Sequence, residues 1–94
     1  MEYRSNSFVV DAFEFTRKYD DRVAPFWFSK AVEDMRIYID STLHDGASVI
    51  SGFTLNSKRG RIKGKCGDFV LRAPSGEIMV MNKKTFTTLF RKNK

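Results

Sequence analysis

Between residues 58 and 65 the chain reads KRGRIKGK, so Arg59, Arg61, Lys63 and Lys65 recur at every second position with only glycine or Ile62 between them. In a β-strand that period sets all four side chains on one face, with Lys58 at the preceding turn. Like charges in a row repel, so such a face requires either solvent or an acidic surface opposite it. The stripe therefore predicts a strand with one open side, and that side is the first candidate for a binding surface.

Charge is distributed unevenly along the 94 residues. Residues 1–50 hold six Lys/Arg against nine Asp/Glu, a balance of −3, whereas residues 51–94 hold eleven against two, a balance of +9. An acidic half followed by a basic half presents a directional field that steers polyanions or an acidic protein surface, unless the fold interleaves the two. Nine phenylalanines supply bulky core material, so a single folded domain over residues 1–94 is expected rather than disorder. The one cysteine, Cys66, excludes an internal disulfide and fits a reducing compartment. No apolar run approaches the roughly 20 residues of a membrane span, and the first residues lack the apolar core of a signal peptide. A cytoplasmic protein with no membrane association is the expectation.

Along the chain, residues 8–15 read as a central strand, with Phe8, Val10 and Ala12 on one face and Val9, Phe13 and Phe15 on the other. Residues 16–23 read as a loop. Pro25 suits the first turn of a helix. Phe28, Ala31, Val32 and Met35 then follow at helical spacing as its buried stripe, opposite Ser29, Lys30, Glu33 and Asp34. Residues 36–40 read as a short strand with Ile37 and Ile39 inward, and residues 41–48 as a loop. Strands are expected at 49–55 and 61–65 around a turn at 56–60, then at 68–72 and 77–82 around Ala73, Pro74, Ser75 and Gly76. Asn82 suits the N-cap of a final short helix with Phe86, Leu89 and Phe90 inward. The fold class is α+β: a small, twisted, mainly antiparallel sheet, open or barrel-like, with one amphipathic helix after the first strand and a short C-terminal helix.

Three segments in this order resemble a family of small proteins encoded by tailed bacteriophages and prophages. The family begins with a pattern close to YRKKPVVIEAF, which appears here as YRSNSFVVDAFEF from Tyr3 to Phe15. Its Pro-x-Trp segment before a helix is similar to APFWFSKAV from Ala24 to Val32, and its GDYII turn and Gly-Glu are similar to GDFVLRAPSGEI from Gly67 to Ile78. Lys83 and Phe86 match its closing positions. Two departures stand out. Met79, Val80 and Met81 replace an aromatic-Pro-Cys segment, and the hairpin at 56–65 is more basic than the family pattern. The resemblance implies a small phage protein acting in the host bacterial cytoplasm, by binding host macromolecules or countering host defences.

Catalytic constellations are sparse. His44 is the single histidine, so any nucleophile–base pair has to use it. One His and one Cys do not make a metal site. Asp11 and Glu14 differ by an odd offset and point to opposite faces of their strand, and Gly60 and Gly64 do not form a phosphate loop. No enzyme, metal or cofactor is expected. The expectation is a non-enzymatic protein that binds a host macromolecule stoichiometrically through Lys58, Arg59, Arg61, Lys63 and Lys65, with Trp27 as an aromatic anchor or else as a cap on the core edge. A host protein with an acidic surface is the partner class this reading favours, in which charge sets the association rate and an anchor sets affinity. Nucleic acid is the alternative, with phosphates on the stripe and bases stacked on Phe53, Tyr38 or Trp27 wherever these are exposed. The sequence leaves the oligomeric state open.

Overall fold

The computed structural model describes residues 2–4, 9–20 and 22–92. It is α+β, and its strands form two open antiparallel sheets rather than a closed barrel. The chain divides into two compact units, residues 15–66 and the flanking segments 1–14 and 67–94.

The flanking segments build a five-stranded sheet in the order β7-β6-β2-β1-β8. Its strands are β1 (Glu2–Arg4), β2 (Val9–Glu14), β6 (Phe69–Arg72), β7 (Ile78–Met81) and β8 (Arg91–Lys92). β2 lies in the middle, as its two largely apolar faces demand. Phe8, expected at its start, lies outside the described residues. The short strands β1, paired between β2 and β8, and β8, at the sheet edge, are not announced by the sequence. Gly76 takes a φ of 92° in the β6–β7 turn, where the Ala73 N–H donates to Glu77 O and the Gly76 N–H to Ala73 O.

One face of this sheet is covered by α2 (Lys83–Leu89), whose first turn is held by Asn82 Oδ1 accepting from the Thr85 N–H at 2.8 Å. Phe86 stacks on Phe69 at 4.0 Å and on Phe90 at 5.2 Å, and Tyr3 meets its ring edge-on at 4.7 Å. Val10, Ala12 and Leu71 complete that core. Leu89, expected inward, is 53% exposed. The helix ends there and Phe90 takes an extended conformation, which brings the Phe90 ring to the core instead.

Residues 15–66 build a three-stranded meander of β3 (Ile37–His44), β4 (Ala47–Ser57) and β5 (Gly60–Lys65), with β4 central. The helix α1 (Phe26–Glu33) packs against β3. Phe15, Phe28 and Phe53 are fully buried and form its aromatic centre, with Tyr19 against Phe15 and Phe28. In the loop before α1, Asp20 accepts from the Arg22 guanidinium and the Arg22 N–H, which lowers its carboxyl pKa below the usual value.

Two expectations fail in this unit. Residues 41–48 are not a loop: β3 and β4 run through them as a ribbon that turns only at Asp45 and Gly46, with φ of 52° and 80°. Positive φ at both central residues is the geometry of a tight hairpin, and Asp-Gly suits it. Met35 does not face the core either; it is 68% exposed. The helix stops at Glu33 with Met35 in the left-handed region at φ 64°, the Arg36 N–H donating to Ala31 O and the Met35 N–H to Val32 O. Glycine usually fills that position. Met35→Gly relieves a strain of about 1–2 kcal/mol and adds unfolded-state entropy worth about 0.5–1 kcal/mol. We expect a net gain near 0.5–1 kcal/mol, read as a rise of a few degrees in Tm.

Candidate functional site

The basic segment forms β5 and its turn. Lys58 and Arg59 make the two-residue connection from β4, closed by Ser57 Oγ donating to Gly60 O at 2.7 Å and accepting from the Arg59 N–H at 3.2 Å. Gly60 takes a φ of 116° there. Arg59 therefore stands in the turn and not in the stripe, because pairing begins only at Gly60. Arg61, Lys63 and Lys65 share one face of β5, and all three are exposed.

The reason for that arrangement lies on the opposite face. Gly64 is paired with Phe53, whose ring lies across it so closely that a Cβ at position 64 would collide with the ring. Ile62 pairs with Leu55, and Leu55 with Ile37. With Phe53 and Leu55 buried, this is the core side of the sheet, and the period of two sends the cations outward.

Strand pairing then decides what surrounds them. Tyr38 on β3, Thr54 on β4 and Lys63 on β5 lie in one row across the sheet. The next row holds Asp40, Gly52 and Lys65, and on the other side Asn56 stands opposite Arg61. Neighbouring strands are about 4.8 Å apart, so the backbones bearing Tyr38 and Lys63 are separated by roughly 10 Å. Thr54 is only 8% exposed, and its Oγ1 donates to Asp40 Oδ2 at 2.8 Å. The Asp40 carboxylate, in the row of Lys65, thus accepts from a hydroxyl of the central strand. Asn56 Nδ2 donates to Met35 O, and its N–H to Arg36 O, which sets the exposed Arg36 just before β3.

Among the described residues, Lys58, Arg59, Arg61 and Lys63 form no ion pair. Tyr38 is 46% exposed and stacks on no other described ring. Of the three aromatic residues considered for stacking, Phe53 is fully buried and Trp27 is half-buried, edge-on to Phe28 at 6.2 Å. Tyr38 alone stands on the basic face. Its neighbours there, Thr54 and Asp40, were not legible as site residues, because their position depends on the β3–β4 register.

His44 sits at the exposed ribbon tip with Nε2 3.6 Å from Asp45 Oδ2, and Cys66 Sγ lies 3.8 Å from Ile50 O. No group of His, Cys, Asp or Glu side chains among the described residues is placed to hold a metal ion. A shallow cleft of about 260 Å³ on the five-stranded sheet is lined by Glu2, Asp11 and Arg72 with Val9, Val10, Ala73 and Pro74. No described helix is long and apolar enough to cross a membrane. Set against known proteins, the chain matches no family model, no curated protein and no solved structure.

Proposed function

We propose that this protein works without catalysis, as a stoichiometric binder of nucleic acid, and that it takes the polymer on the outer face of β3, β4 and β5. The observation that carries the reading is the row of exposed cations Arg61, Lys63 and Lys65 beside an exposed, unstacked Tyr38. A line of cations on an open sheet engages phosphates in any sequence. An exposed ring among them supplies the aromatic surface that bases use. The resemblance to small phage proteins supplies the proposed setting, an accessory protein in the host bacterial cytoplasm that serves host takeover or counters a defence system.

Anisotropy titrations with labelled DNA and RNA oligonucleotides test this reading. Engagement of about three phosphates gives a log Kd that rises linearly with log salt, with a slope of roughly 2–3. The Arg61→Ala/Lys63→Ala/Lys65→Ala variant should keep its fold, since exposed substitutions rarely move stability by more than about 0.5 kcal/mol. Its salt slope should collapse towards zero. Binding unchanged in that variant removes this face from consideration.

A second reading has an observation of its own. Phe26 at the start of α1 is 82% exposed, next to Trp27, and together with the basic stripe it offers an anchor for a host protein with an acidic surface. That partner gives a complex of fixed stoichiometry in which salt acts mainly on the association rate.

A further inference from the structure

We infer that the ligand of this face is an unpaired strand, with a base stacked on Tyr38 while the adjoining backbone lies over Lys63 and Arg61. The inference rests on the nucleic-acid reading and goes beyond it by choosing between single strands and duplex.

The choice follows from how the ring and the charges are placed. A duplex keeps its bases stacked on one another and presents phosphates outward, so a protein that reads only its backbone has no use for a ring. Here a phenol ring occupies the same row as Lys63, separated from it by one strand. Roughly 10 Å of sheet, two strand spacings, divides the backbones that carry the ring and the charge. Thr54 lies between them in the row and is only 8% exposed. A base on the ring therefore has its own phosphate within reach of the ammonium group. Between ring and cation lies Thr54, whose hydroxyl donates to Asp40 Oδ2 in the next row of β3.

The remaining contacts agree with an open strand. Arg61 lies one row further along β5, so successive phosphates find successive cations at the strand's own two-residue spacing of about 6.7 Å. Every base offers a π-face, so the preference is for unpaired nucleotides and not for a sequence. The backbone of Tyr38 is held to β4, by its pairing with Thr54 and, just before the strand, by the Asn56 N–H bond to Arg36 O.

The test uses the full chain with labelled oligothymidine, oligouridine and a duplex of equal length. The expected result is single-strand affinity at least about tenfold above that for duplex, and a loss of about tenfold for single strands in Tyr38→Ala. The salt slope of that variant should match the parent, because no cation has been removed. Tyr38→Trp should restore affinity, and its added fluorescence, measured against the parent's Trp27 background, should be quenched on binding. Equal affinity for duplex, with Tyr38→Ala neutral, overturns the single-strand inference and leaves the nucleic-acid reading standing. Absence of binding to all three probes by a folded parent overturns both. Oligothymidine against oligouridine distinguishes DNA from RNA as the source of the unpaired strand.

Discussion

Gly64→Ala should lower Tm, by as much as about 20 °C, although it adds a single methyl group to a strand. The backbone at Gly64 lies outside the left-handed region, so alanine meets no conformational obstacle there. The obstacle is the Phe53 ring, which occupies the space a Cβ requires. That ring cannot retreat cheaply, because it is fully buried and packed 4.8 Å from Phe15 and 6.4 Å from Phe28. Overpacking of this kind costs about 1–3 kcal/mol, against a gain of about 0.4–1 kcal/mol from a stiffer unfolded chain. Removing the ring should relieve the clash. Gly64→Ala in a Phe53→Leu background should cost much less than in the parent, a coupling of about 1 kcal/mol or more in a thermal-denaturation cycle. Additive losses would show that the glycine is required for some other reason.

That pair also shows how much of the protein was legible in its sequence. The alternation from Arg59 to Lys65 announced a strand with one charged face, and three of its four cations share that face. What the alternation does not carry is the reason for the glycine, since Phe53 meets Gly64 only through the β4–β5 register. The same limit hid the ribbon at 41–48. Its residues are exposed on both faces, so no apolar period marks them, and Asp45-Gly46 is the one local signal of a tight hairpin. β1 and β8 are short strands, β8 at the sheet edge, that pair the two ends of the chain, which local pattern does not encode. Asn82, by contrast, acts locally and was read correctly as an N-cap. Helical spacing sets Met35 on the buried stripe because it says where a side chain would point if the helix continued, not where the helix stops. The functional face divides in the same way. Its cations are a property of one strand and visible in sequence, whereas the ring, the hydroxyl and the carboxylate beside them come from two others.

Reversing charge at two positions should have the largest effect on binding. In Arg61→Glu/Lys63→Glu the three cations of the stripe become two carboxylates and one ammonium, a change from +3 to −1. Each phosphate contact on a single strand is worth about 0.6 log units at physiological salt, so losing two of them weakens binding by roughly fifteenfold. Repulsion between the new carboxylates and the phosphates adds to that, and a loss above about a hundredfold is expected. Stability should hold or rise slightly, since both side chains are exposed, neither forms an ion pair among the described residues, and a run of like charges is broken. The decisive comparison is a second variant with the same change in net charge elsewhere. Lys83 and Lys84 open α2 on the five-stranded sheet, and their reversal to Glu shifts the whole-chain charge by the same four units. If the face binds nucleic acid as proposed, the α2 variant keeps most of its affinity while the β5 variant loses it. Equal losses in the two would mean that net charge alone attracts the polymer, and the face of β3–β5 would have no special claim to it.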